Sequence, residues 1–258
     1  MSSEFSAVNL ADPSEAQKKA WQHDGFLIVR NFFSARETAD LLRWTDEITN
    51  APEVPGRHMV YYETSRTEPD KRVIQRIENF CPFHAEFDRV VRNGRLSLWL
   101  DKLMGGPTVL FKEKINFKLP GSAGFEPHQD QQAGWSRYAP LFVTALVTLD
   151  PATLANGCLE LVPGKHRQGL IGEEWTPLSW DDLGLEPVET APGDVVFFDS
   201  FVPHASKPNQ TNAPRRILYL TYNRADHGDH RVQYFADKRR EFPPDVERDG
   251  KTDYTFRV

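Results

Sequence analysis

Two cysteines, Cys81 and Cys158, are too few among 258 residues for a disulfide framework, so the fold must rest on packing. The chain also lacks a membrane-length apolar run and a secretory leader. With cysteine so scarce, these absences make a reducing cytoplasm the expected setting, with no membrane partner. Dominant basic tracts are missing too, and a net charge of −6 argues against nucleic acid as the main partner. A small molecule is the expected partner instead. No linker is visible, and at 39% hydrophobic and 12% aromatic the chain can bury a large core. Residues 1–258 are therefore expected to form a single domain.

What is present falls into two halves. Ser14 with Gln17, and Ser34 with Glu37, have the spacing at which two side chains cap each other's backbone N–H groups at the start of a helix. Behind the second pair, Leu41, Leu42, Thr45 and Ile48 mark one helical face. A further helix is expected from about Phe87 to Met104, ended by Gly105 and Gly106. Ala51 to Asp70 contains three prolines and a glycine, which predicts a loop, either an active-site lid or an idle surface connection. From Val109 to Tyr222 the pattern is strand, broken at Pro120-Gly121, Asn156-Gly157, Pro163-Gly164 and Pro192-Gly193. Helices followed by many strands predict a mainly β fold with flanking helices, built on a cupin-like jelly roll, the double-stranded β-helix. Its helical part would span about 1–108, the jelly-roll core about 109–225 and a C-terminal extension about 226–258.

The chemistry is concentrated in His128, Asp130 and His204. Residues i and i+2 of an extended segment project to one side, so His128 and Asp130 can share a metal while Gln129 points elsewhere. An ordinary hydrogen-bonded loop would also accommodate that short motif. His204 lies just beyond the apolar strand Val195 to Phe198, after Pro203, at the rim of a sheet. Two imidazoles and one carboxylate leave the opposite face of a metal open, the ligand set of a non-heme Fe(II) oxygenase.

Arg215 and Arg216 open a strand, Arg-Arg-Ile-Leu-Tyr-Leu-Thr-Tyr, that is apolar on both faces, so one arginine is expected to enter the interior. A buried guanidinium requires an anion. That anion is either one of the 37 acidic side chains or the distal carboxylate of 2-oxoglutarate, which a planar fork of N–H donors binds with two parallel bonds. The strand from Phe111 to Leu119 separates Phe111, Ile115, Phe117 and Leu119 from Lys112, Lys114, Asn116 and Lys118. Its lysines form either a solvated face or a site for an anion.

In these motifs, and in their order and spacing, the chain resembles the phytanoyl-CoA dioxygenase family of Fe(II)- and 2-oxoglutarate-dependent oxygenases. The resemblance runs from His-Asp-Gly-Phe-Leu-Ile-Val-Arg-Asn-Phe-Phe (23 to 33) through Lys-Ile-Asn-Phe-Lys (114 to 118), Pro-His-Gln-Asp (127 to 130) and Asn-Gly-Cys-Leu-Glu-Leu-Val-Pro-Gly-Lys-His (156 to 166). It ends with Pro-Gly-Asp-Val-Val-Phe-Phe (192 to 198), His-Ala-Ser (204 to 206) and the arginine strand. It implies that His128, Asp130 and His204 are the catalytic iron ligands and that Arg215 binds the 2-oxoglutarate tail, with Ser206 and Asn116 helping to hold it. The cofactors implied are Fe(II), 2-oxoglutarate and O2. Related halogenases have a small residue in place of the aspartate, so Asp130 implies hydroxylation.

If Asn116 faces the cosubstrate, the same parity aims Lys112 and Lys114 at the substrate, which is then anionic or zwitterionic. Gln129, Arg137 and Tyr62 are further candidate contacts. The segment from Tyr234 to Asp245, together with the residues after His128, resembles bacterial family members active in organophosphonate catabolism. The substrate implied is an organophosphonate such as 2-aminoethylphosphonate, hydroxylated at the carbon next to phosphorus. Ectoine, another zwitterionic amine or a carboxylate is the alternative within oxygenases, and a cupin-like metal-binding protein or hydrolase is the alternative outside them. His23, His58, His84, His166, His227 and His230 lack matched ligand partners and are expected to be structural or exposed.

Overall fold

Both capping boxes form. In the computed structural model, which describes residues 12–181, 183–250, 252 and 254, α1 (Glu15–Asp24) and α2 (Ala35–Thr49) begin with the reciprocal Ser14–Gln17 and Ser34–Glu37 bonds. The helix expected from Phe87 to Met104 is instead two, α3 (Ala85–Arg92) and α4 (Arg95–Met104). Asn93 and Gly94 leave helical geometry between them, and the Ser97 hydroxyl donates to the Gly94 carbonyl to start the second helix. The α4 helix stops at Gly105, which takes a left-handed conformation open to glycine without strain.

Eleven strands are found among the described residues: β1 (Phe26–Val29), β2 (Met59–Thr64), β3 (Arg72–Glu78), β4 (Thr108–Lys118), β5 (Phe125–His128), β6 (Val143–Thr148), β7 (Leu159–Leu161), β8 (Glu186–Val188), β9 (Val195–Asp199), β10 (His204–Ser206) and β11 (Arg215–Arg224). They form two antiparallel sheets, one in the order β1-β9-β6-β11-β4-β3-β2 and one in the order β5-β10-β7-β8. The expected loop from Ala51 to Asp70 thus contains a strand. Its prolines flank Met59-Val60-Tyr61-Tyr62, whose β-forming residues pair with β3.

One face of the large sheet carries Ile115, Phe117, Leu218 and Leu220 and packs on Leu41, Trp44, Phe87 and Leu100 from α2, α3 and α4. The other face carries Leu146, Ile217 and Tyr219 and packs on Leu159, Leu161 and Val188 of the small sheet. Each large side chain buried in such a core contributes roughly 1.5–3 kcal/mol. The β4–β11 register shifts once, from Thr221↔Lys112 to Tyr222↔Leu110, leaving Phe111 as the extra residue. This bulge separates Phe111 from Ile115 and Phe117. It joins a third cluster instead, with Trp135, Phe142, Tyr234 and Phe235, the last two from helix α5 (Arg231–Glu241).

Candidate active site

His128 ends β5 and His204 begins β10, and the two are direct cross-strand partners with ring centroids 4.3 Å apart. Asp130 opens the short 3-10 turn that follows β5. Ligand atoms of all three lie within 4.8 Å of one another. His128 Nδ1 is 2.7 Å from the Glu126 carbonyl and His204 Nδ1 is 3.0 Å from that of Val202. Carbonyls only accept, so each Nδ1 carries the proton and each Nε2 presents a lone pair. Burial, and then the neighbouring His204, push His128 down to about 3, and burial also lowers His204. Burial opposes ionisation of Asp130, but His204, Lys112 and Lys114 together hold it below the usual carboxylate range. Two neutral imidazoles and one carboxylate is the state a divalent metal requires. Thr144 donates to the Asp130 carboxylate at 3.3 Å and shares a 2.9 Å bond with Thr221.

Directly opposed residues of antiparallel strands share a face, and the register pairs Arg215 with Lys118, Tyr219 with Lys114 and Thr221 with Lys112. Arg215 is fully buried. Its Nη1 donates to the Gly157 carbonyl at 2.9 Å, while Nε and Nη2 find no hydrogen-bond partner. Among the described residues no carboxylate forms an ion pair with it, in contrast to Arg216, which faces the other way and binds Asp150 and Asp46. Buried guanidinium donors left open in this way fit a carboxylate-bearing ligand. Lys118 donates to the Ser206 hydroxyl at 2.8 Å, and the Asn116 side-chain oxygen is buried without a partner.

The phytanoyl-CoA dioxygenase (PhyH) family model matches residues 21–217. The chain belongs to this family. It is therefore a dioxygenase of the Fe(II)- and 2-oxoglutarate-dependent class. The oxygenase is 37% identical over 246 residues to a 2-aminoethylphosphonate dioxygenase from an uncultured bacterium, with 94% of each chain covered. It is 38% identical over 237 residues to a methylphosphonate hydroxylase from Gimesia maris, covering 89% of this chain and 88% of that protein. In fold it is similar to the solved structure of EctD from S. alaskensis with 2-oxoglutarate and 5-hydroxyectoine. There the TM-score is 0.71 at 24% identity, covering 86% of this chain and 80% of that one.

A cavity in the oxygenase brings together His128, Asp130, His204, Asn116, Ser206, Lys112 and Lys114. The other candidate substrate contacts lie elsewhere. Gln129 is buried with its amide bonded to backbone at Gly169, Ile171 and Phe201, so it anchors a loop. Tyr62 packs against the helical core, its hydroxyl donating to Glu53 and its ring under Arg72. Arg137 borders a neighbouring recess and pairs with Glu241 at 3.3 Å.

Five polar side chains near or in the cavity of the oxygenase, Arg76, Glu78, Lys118, Tyr219 and Lys238, escaped the sequence reading as site residues. Lys118 and Tyr219 carried a signal, since they share parity with Asn116 and Arg215. Glu78 and Lys238 carried none, because their meeting depends on α5 folding back over the sheet. The segment from Gly169 to Leu185, which has neither helix nor strand among its described residues, also borders the recess through Trp175. Trp175 takes a left-handed backbone, and its ring centroid lies 5.9 Å from that of Phe242.

Proposed function

We propose that this oxygenase hydroxylates an organophosphonate, with 2-aminoethylphosphonate the leading candidate, at the carbon next to phosphorus. His128, Asp130 and His204 would hold the Fe(II). Arg215, Ser206, Asn116 and Lys118 would hold 2-oxoglutarate. The observation that carries the substrate reading is the cationic wall of the cavity, where Lys112 and Lys114 stand beside the metal-ligand cluster. The relatives named for 2-aminoethylphosphonate and methylphosphonate share the phosphonate and differ in the amine. Cations suit the part they share, because phosphonate oxygens accept charge-assisted bonds.

When bound, the iron supplies O2 activation coupled to decarboxylation of 2-oxoglutarate to succinate and CO2, with the second oxygen atom entering a substrate C–H bond. The chain's own residues orient and shield. Backbone carbonyls hold both imidazole rings with Nε2 inward, and Thr144 steadies the carboxylate. Nε and Nη2 of Arg215 are available to fix the distal carboxylate by two parallel bonds, setting the depth at which the keto acid sits. Phe125, Leu159 and Trp135 supply apolar lining that limits water around the reacting groups.

Anaerobic reconstitution with Fe(II) and 2-oxoglutarate, followed by addition of phosphonates or ectoine and then O2, tests this directly. A visible charge-transfer band with succinate and a hydroxylated phosphonate is expected. Turnover of ectoine, another zwitterionic amine or a carboxylate without turnover of any phosphonate would overturn the substrate. Absence of the band despite bound iron would overturn the cosubstrate site.

A further inference from the structure

We infer that Arg76, Lys112 and Lys238, gathered around Glu78, form the seat for a dianionic head group of the substrate, and that Lys238 of the C-terminal helix sets the preference for that head group. The inference rests on the phosphonate reading and sharpens it. All four side chains are buried and line the same cavity as His128, Asp130 and His204. Arg76 Nε lies 2.7 Å from Glu78, and Lys238 Nζ lies 2.8 Å from one of its oxygens and 2.9 Å from the other. Lys112 and Lys238 both approach the Tyr234 hydroxyl, at 3.4 and 3.5 Å. Aromatic faces complete the seat, with the Arg76 guanidinium 4.2 Å from the Tyr61 centroid and Lys112 Nζ 4.3 Å from that of Trp135.

Charge decides what fits. Among the described residues of the seat, the cations are Arg76, Lys112 and Lys238, and the carboxylate is Glu78. Three formal positive charges less one negative leave a surplus of two. A phosphonate dianion matches that surplus, and its three oxygens offer acceptors to several donors at once. A carboxylate supplies one charge and two oxygens. Lys238 also lies outside residues 21–217, the span of the family-wide pattern. Its helix is fixed by the Arg231–Glu113 ion pair, by Tyr234 and Phe235 in the aromatic cluster, and by the Tyr61 hydroxyl donating to the Phe242 carbonyl at 2.8 Å. The family framework thus carries a cation from an element beyond that framework.

The test is anaerobic calorimetric titration of the full chain, loaded with Fe(II) and 2-oxoglutarate, using 2-aminoethylphosphonate, methylphosphonate and the carboxylate counterparts 3-aminopropanoate and acetate. Wild type is expected to prefer each phosphonate to its carboxylate by tenfold or more. Lys238→Gln should lose 30-fold or more of phosphonate affinity, and Lys238→Arg should restore most of it, while the 2-oxoglutarate charge-transfer titration stays unchanged. Unchanged phosphonate affinity in Lys238→Gln would overturn the seat and leave the proposed substrate standing. Loss of cosubstrate binding along with phosphonate binding would mark Lys238 as merely structural and also overturn it. If Lys238→Gln does not fold, Arg76→Gln carries the same test with the same outcomes. Lys238-dependent binding of a different dianion, without phosphonate binding, would support the seat and overturn the substrate. Binding of no dianion would overturn the seat.

Discussion

Replacing Arg215 by methionine should move stability and cosubstrate affinity in opposite directions. Its guanidinium is fully buried, with one bond to the Gly157 carbonyl and two nitrogens without a partner from the described residues. An unsatisfied buried donor costs roughly 1–3 kcal/mol, and a satisfied bond contributes about 1 kcal/mol. Methionine fills much of the volume without either term. With two such nitrogens and one bond lost, the ligand-free variant should therefore be more stable by about 1–5 kcal/mol, which raises the melting temperature by about 2–4 °C per kcal/mol in a chain of this size. Cosubstrate binding loses a charge-assisted pair worth at least ~2 kcal/mol, a weakening of roughly 30-fold. Calorimetric melting of the metal-free protein measures the first effect, and anaerobic titration of the Fe(II) form with 2-oxoglutarate measures the second. A melting temperature several degrees lower with unchanged cosubstrate affinity would mean that Arg215 is a structural residue, and the reasoning would fail.

Asp130→Ala should abolish Fe(II)-dependent turnover in protein that still melts cooperatively; turnover that survives would remove Asp130 from the ligand set. Gly157→Ala should destabilise by roughly 1–3 kcal/mol or more and weaken 2-oxoglutarate binding, as read by denaturant titration and by the charge-transfer band. Gly157 has positive φ, and a Cβ there would lie 1.9 Å from the Lys207 carbonyl oxygen and 2.8 Å from Lys118 Nζ. Wild-type behaviour in both assays would refute that crowding. Protein prepared without metal or cosubstrate should also gain stability as pH rises from about 8 to 10. Burial, and then Lys112, push Lys114 down to about 8, while burial, and then Arg215, push Lys118 down to about 6. In the unfolded chain lysine keeps its proton to about pH 10.4, so across this window the unfolded state binds more protons. A melting temperature that falls between pH 8 and 10 in ligand-free protein would contradict the sign.

Local signals were legible wherever the physics is local. Hydroxyl and acceptor three residues apart marked the starts of α1 and α2, and alternation along β4 aimed Lys112, Lys114 and Asn116 at one cavity. Apolar character on both faces of β11 marked a central strand, and neighbouring parity separated Arg215 from Arg216. Failures came where structure depends on partners. Asn93 and Gly94 interrupt a helical pattern that is otherwise continuous in hydrophobicity. Met59 to Thr64 became a strand because β3 was there to pair with it, and the bulge at Phe111 reset a parity that the sequence alone could not show. Lys238 and Glu78 are 160 residues apart, and only the docking of α5 through Arg231 and Tyr234 makes them neighbours.

Decarboxylation exchanges one dianion for another, since 2-oxoglutarate becomes succinate while CO2 departs neutral. In its proposed role, Arg215 would therefore attract the spent cosubstrate much as it attracts the fresh one. Hydroxylation at carbon likewise leaves the charge of a phosphonate unchanged. Electrostatic repulsion does not clear the cavity, and release depends on products being dilute outside. Succinate is thus expected to compete with 2-oxoglutarate, so that the buried guanidinium ties the rate of oxidation to the ratio of the two acids around the enzyme.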